Sequence, residues 1–266
     1  MNSTNATPNI NDLFQSAHND GALSTAAMQA LNVTDIGLQI QAGLGTPVDD
    51  MMASEVVLVT LMPDDSGSIR FAGNDAIVRA GHNTVLDALL ASPQQDQILI
   101  HNRYLNGHVL YPYCPVNQAV RMDSQNYDPS QGTPLYEQTV VLLGTVLAKT
   151  QQFIDNGVPA RSVTLIISDG ADCHSRRTTA QDVKVIVDDL LRSENHIIAA
   201  MGIDDGDTDF TQVFREMGIR DEWILTPGNS QTDIRQAFAL FSQSAVRASQ
   251  SAGNFSQTAL GGFGTP

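Results

Sequence analysis

Basic residues are scarce. Over 266 residues the chain carries 14 Lys and Arg against 29 Asp and Glu, for a formal charge of −15. Nucleic-acid binding draws on a basic footprint that displaces counterions, and beyond Arg176-Arg177 no Lys/Arg cluster occurs, so neither nucleic acid nor an anionic membrane is an expected partner. Metal ions and basic protein surfaces suit this balance better. Nothing before Arg70 is Lys or Arg, which leaves the N-terminal stretch without a secretory n-region or Arg-rich transit character. No apolar run approaches the ~20 residues that a membrane helix requires. Cys114 and Cys173 are the only cysteines, too few for a disulfide framework. Together these absences read as a soluble, cytoplasmic protein. The Asn-x-Ser/Thr sequons at Asn2, Asn5, Asn32 and Asn254 then read as chance in Asn/Ser/Thr-rich segments.

What is present is a core-forming composition. Hydrophobic residues are 42% and charged residues 16%, which places most of the chain among globular rather than disordered sequences. Residues 1–54 are polar and read as an irregular arm with one short amphipathic helix around Leu23–Leu31. Its few apolar residues, Leu13, Phe14, Leu23, Met28, Leu31, Ile36, Leu38 and Ile40, could pack back on the domain or reach another chain. Residues 248–266 are Ser/Gly-rich and read as a flexible tail.

Between these ends, over 55–247, strands and helices alternate. Val56–Met62 is an apolar run of strand length, as a strand buried on both faces would be. Ala76–Leu90 has helical spacing. Gln97–Tyr104 and Val109–Tyr113 are β-rich and joined through Asn106-Gly107, a tight-hairpin signal. Pro134–Asp155 is a long helix, Val163–Ser168 a buried strand, Asp182–Leu191 a helix and Ile197–Ile203 a strand. Phe210–Met217 (helix), Trp223–Thr226 (strand) and Thr232–Val246 (helix) complete the series. The pattern predicts an α/β fold: a mainly parallel central sheet with one antiparallel edge strand and helices on both faces.

Three polar clusters fall at the carboxyl ends of these strands or in the loops above them, where ligands sit on such sheets. They are Asp64-Asp65-Ser66-Gly67-Ser68, Gly132-Thr133-Pro134 and Ser168-Asp169-Gly170. Asp64, Ser66, Ser68, Thr133 and Asp169 offer only oxygen. That is hard-cation chemistry, Mg²⁺ with Mn²⁺ or Ca²⁺ as alternatives, and no thiolate or imidazole favours zinc. Two carboxylates do not fill an octahedron, so water or an external acidic group must complete it.

This order of motifs resembles the von Willebrand factor type A (vWA) domain with its metal-ion-dependent adhesion site (MIDAS), of the intracellular, prokaryotic-like kind. The likeness runs from about Glu55 to Val246. It implies a Rossmann-like vWA fold and no enzymatic activity. It further implies a module that grips an Asp or Glu of a partner protein through the cation. Ser66 and Ser68 would coordinate directly, and Asp64 directly or through water. Thr133 and Asp169 would exchange between direct and water-mediated contact as a partner binds. One departure is Pro63, which stands between the strand and Asp64 where relatives usually have no proline.

Each motif also has a plainer reading. The Asp-Ser-Gly run alone is a turn with a helix cap, and Thr133 an N-cap for the long helix. Asp65 is solvent-facing or a supporting acceptor, and Asp172 a loop carboxylate. Asp204–Asp209 reads as a solvated acidic loop, Cys173-His174 as an incidental pair, and Tyr104, Tyr111, Tyr113 and Trp223 as packing residues. The competing functions are a Mg²⁺-dependent phosphoryl-transfer enzyme and a structural domain whose metal site is vestigial. Phosphatases with Asp after a first strand usually place a second Asp two residues on, where this chain has Ser66.

Overall fold

The run Val56–Met62 is apolar at nearly every position because both faces of the strand it forms are covered: all seven residues are buried. In the computed structural model, which describes residues 9–32 and 36–264, it is β1 of a six-stranded sheet. The other strands are β2 (Ile98–Arg103), β3 (Val109–Pro115), β4 (Ala160–Ser168), β5 (His196–Gly202) and β6 (Ile224–Leu225). Their order is β3-β2-β1-β4-β5-β6, parallel throughout except for β3, which pairs antiparallel with β2 at the edge. The hairpin joining them turns at Asn106-Gly107. There Gly107 has φ 93°, a conformation that costs glycine nothing, and the Asn106 side chain accepts from His108 N at 2.7 Å.

Helices α1 (Ile10–Asn19), α2 (Thr25–Leu31) and α3 (Ile36–Leu44) precede β1. Then come α4 (Gly67–Phe71), α5 (Asp75–Leu90), α6 (Leu135–Asp155), α7 (Ala180–Arg192), α8 (Phe210–Glu216), α9 (Gln231–Gln250) and α10 (Ala252–Gly261). Helices α6 and α7 cover one face of the sheet, with α3 beside α6 against β3 and α1 and α2 packed outside, and α5 and α9 pair on the other. Such two-sided cover is the α/β arrangement that the alternating pattern predicts. Since the chain direction is shared by five strands, their carboxyl ends lie together and bring the polar loops after β1 and β4 to one edge.

Two segments differ from their reading as irregular arm and flexible tail. The stretch before β1 forms three helices among the described residues, and Phe14, Leu23, Leu31 and Ile40 are buried. Single apolar residues spaced along a polar segment suffice because α6 presents a long apolar partner, and the segment packs back on the domain; only Leu38 of that set stands well out, at 78% exposure. At the other end Ser251 caps α10, accepting from Asn254 N at 3.1 Å, and Phe255 is buried. The sequons at Asn2 and Asn5 lie outside the described residues.

Candidate metal centre

β1 ends at Met62, and the chain then turns across the top of the sheet. The Pro63 carbonyl accepts from Leu105 N at 3.1 Å, which ties the loop to the β2–β3 hairpin. Asp64 follows with no exposed surface. Its Oδ1 accepts from Ser66 N at 2.7 Å, while its Oδ2 accepts from Ser168 Oγ at 2.9 Å and Asp169 N at 3.2 Å. The carboxylate is thereby locked between the first and third polar loops. Tyr127 adds a buried hydroxyl that donates to the Asp64 carbonyl.

Ser66, Ser68 and Asp169 meet in a triangle of oxygens. Ser66 Oγ lies 2.8 Å from Ser68 Oγ, and Asp169 Oδ1 lies 3.2 Å from the first hydroxyl and 2.6 Å from the second. Asp169 is buried, whereas Ser68 is exposed, so the triangle opens to solvent on its Ser68 side.

Thr133 is carried to the same edge by two sets of backbone bonds. Ser130 N and Gln131 N donate to the Asp65 carbonyl at 3.0 and 3.1 Å, and Gly67 N donates to the Gln131 carbonyl at 3.1 Å, stitching the segment before Thr133 onto the first loop. Cys173 N donates to the Thr133 carbonyl at 3.2 Å, and Thr133 N donates to His174 Nδ1 at 2.9 Å, stitching it to the third. The Thr133 hydroxyl takes no part in these bonds. Nor does Thr133 cap α6. The first free N–H groups of that helix are met by Asp172 and Ser175: Tyr136 N donates to Asp172 Oδ1 at 3.1 Å and Glu137 N to Ser175 Oγ at 3.0 Å. The cap reading gives way to one in which the 172–175 loop holds the helix end and Thr133 together.

Electrostatically the site is under tension. Burial lifts the Asp64 carboxyl above its usual range, against the hydrogen bonds that lower it. Burial, then the Asp64 charge, lifts Asp169 to about 6. Asp65 is buried rather than solvent-facing, accepts from Asn106 N at 2.9 Å, and is raised to about 7, again mainly by burial. No basic group contributes to any of these shifts. Carboxylates taken out of water need a cation or a proton.

Several contributors carried no sequence signal for this role. Ser168 orients Asp64, Tyr127 clamps its carbonyl, and His174 is packed so closely on Gly132 that a Cβ there would sit 2.8 Å from the imidazole. The His174 ring meets Thr133 N through Nδ1, and Cys173 Sγ lies 3.0 Å from the same Nδ1. Asp205, in the acidic loop after β5, binds Thr208 N at 2.7 Å and Thr208 Oγ1 at 2.6 Å, and its charge is felt at Asp169. Among the described residues no three His, Cys, Asp or Glu side chains gather as a group that could hold a metal ion.

No known family profile and no curated protein sequence matches the chain. Solved structures do. The pilus adhesin SpaC of Lactobacillus rhamnosus GG superposes with a TM-score of 0.54 at 10% identity, over 74% of this chain and 31% of the adhesin. Its open conformation gives 0.52 at 12% identity, over 74% and 30%. Proximal thread matrix protein 1 of the mussel byssus gives 0.51 at 14% identity, over 72% of this chain and 46% of that protein. The chain thus spans less than half the length of each. At such identities the likeness concerns the fold alone, a mainly parallel sheet with one antiparallel edge strand and helices on both faces.

Proposed function

We propose that the chain is a metal-dependent protein-recognition module, with a Mg²⁺-type cation held by Asp64, Ser66, Ser68, Thr133 and Asp169 in the domain spanning residues 55–247. The observation that carries this reading is the oxygen triangle, with edges of 2.8, 3.2 and 2.6 Å. Octahedral Mg²⁺ holds oxygens at about 2.1 Å, which puts neighbouring ligands about 3.0 Å apart, whereas Ca²⁺ at about 2.4 Å spreads them to about 3.4 Å. The triangle's edges, now spanned by hydrogen bonds, lie nearer to those of a Mg²⁺ or Mn²⁺ octahedral face than to the wider Ca²⁺ one. A dication there also supplies the positive charge that the buried Asp64 and Asp169 lack.

The remaining positions face solvent beside Ser68. Asp64, already engaged by three protein hydrogen bonds, suits a contact through water, and Thr133 can offer its hydroxyl from the adjoining segment. A position left to water is one that an Asp or Glu carboxylate of a partner can take. When bound, the cation supplies Lewis-acid attraction for that carboxylate, and the protein contributes a preset oxygen cradle. Phosphoryl transfer ranks below this reading, because Ser66 stands where an acid/base carboxylate would be needed. Cytoplasmic location belongs to the proposal too; no helix among the described residues is long and apolar enough to cross a membrane.

Capture from a lysate of the native cell, in Mg²⁺ and in EDTA, tests this, with Asp169→Ala bait in parallel. A partner retained in Mg²⁺ and lost both on chelation and with the variant is expected. Retention of every captured protein in EDTA contradicts the recognition mechanism, and Asp64-dependent turnover of p-nitrophenyl phosphate favours the enzyme instead.

A further inference from the structure

At the opposite end of the sheet, where β5 begins, a cavity of about 340 Å³ lies between the end of α7, the segment before β6, and α10. That volume is in the range that takes small organic ligands. Trp223, Ala259 and Leu260 make one wall. Trp223 is buried and donates from Nε1 to the Ala259 carbonyl at 3.2 Å, which fixes the indole, and Leu260 is 80% exposed. The charged lining is two arginines and one glutamate, Glu194. Arg192 and Arg220 both reach it, in a chain whose net charge is −15. Arg192 shares its charge with Asp189 at 2.8 Å, whereas Arg220 forms no ion pair among the described residues. His196, only 5% exposed, turns Nδ1 away to Ser162 Oγ at 2.7 Å and leaves Nε2 as its free edge toward the cavity. In the tautomer in which Ser162 donates to Nδ1, Nε2 carries the proton and can donate.

We infer that this cavity is a binding site for a small amphipathic organic carboxylate, its flat or short-chain apolar body against Trp223 and Leu260 and its anionic head on Arg220 and His196 Nε2. The combination of a fixed aromatic wall, an unpaired guanidinium and a buried imidazole donor suits that chemistry; a neutral ligand would leave the charges unused. Glu194, also on the lining, opposes the anion and limits affinity. The site is separate from the candidate metal centre and needs no cation.

The chain has one tryptophan, so its indole reports on this cavity alone. The probe is 4-phenylbutyrate, titrated in EDTA while Trp223 fluorescence and the single indole ¹H–¹⁵N resonance are followed, with neutral 4-phenylbutyramide as the control. A saturable response to the carboxylate is expected, about tenfold weaker for the amide and for Arg220→Gln, as the loss of a charged hydrogen bond implies. Glu194→Gln is expected to tighten binding. Both substituted residues are exposed, so the fold survives their replacement. No saturable response, or an equal one from the amide and from Arg220→Gln, overturns the site.

Discussion

A single carboxylate oxygen organises the candidate metal centre. Asp169 Oδ1 collects both serine hydroxyls, while the Asp169 backbone N–H reaches Asp64 Oδ2 at 3.2 Å, so one residue links the first loop to the third. Supporting residues should therefore matter almost as much as the ligands. Ser168→Ala removes the hydroxyl that holds Asp64 Oδ2, and is expected to lower Mg²⁺ affinity by about 10- to 100-fold with the fold intact. Mg²⁺ titration calorimetry beside far-UV circular dichroism measures both. Gly132→Ala places a methyl group against His174 and so shifts Thr133. A weaker Mg²⁺ affinity, accompanied by displacement of the His174 side-chain resonances, is the expected outcome. The sequence singles out the five candidates because Asp64, Ser66, Ser68 and Asp169 stand in short polar motifs after apolar runs, and Thr133 just before the long helix. Ser168, Tyr127 and His174 are not singled out, because their roles depend on which atom each meets across a loop, and no spacing encodes that.

Among the elements, the β2–β3 hairpin and α5 to α9 follow from periodicity and turn residues, Asn106-Gly107 above all. Of the three N-terminal helices, α2 answers to the short helix expected around Leu23–Leu31, whereas α1 and α3 did not show in the pattern, because they bury their few apolar residues mainly against α6 and β3, and partners so distant in sequence leave no local signal. Their docking also produces something unusual. Lys149 on α6 is fully buried with no carboxylate; its ammonium donates to the Thr46 carbonyl after α3 and to Gln152 Oε1 at 2.9 Å, and lies 5.1 Å from the Phe153 ring centre. Burial lowers its pKa from 10.5 to about 7. The unfolded chain then binds more protons than the folded one between those values, so stability rises with pH across that window. From pH 7 to 9 the gain should be about 2 kcal/mol, read from urea unfolding. Lys149→Met should abolish the rise and be at least as stable at pH 7, since a well-packed apolar replacement of a buried charge is often stabilising. A pH-independent wild type would show that the ammonium keeps its charge inside the fold.

The whole molecule presents strong negative charge around a site that would receive a carboxylate. Long-range attraction must then come from a partner whose acidic residue sits in a basic surroundings, and the association rate in Mg²⁺ should fall as salt rises from 20 to 150 mM, by roughly tenfold for a well-steered pair. Stopped-flow association with the captured partner checks this, and a rate that rises with salt would mean an acidic partner surface. The architecture of the whole was the most legible level, since alternation of apolar strands with amphipathic helices leaves few topologies open. Its solved counterparts share the fold at identities of 10–14%, which shows how little of this arrangement rests on particular side chains.

The central claim is that Asp64, Ser66, Ser68, Thr133 and Asp169 form one cation site. Isothermal titration of the metal-free protein with Mg²⁺ and Mn²⁺, repeated on Asp169→Ala, addresses it most directly. One saturable site in the wild type, weaker for Ca²⁺ and absent from the variant, is the predicted result. No binding heat at all from the wild type, or the same isotherm from Asp169→Ala, would contradict it.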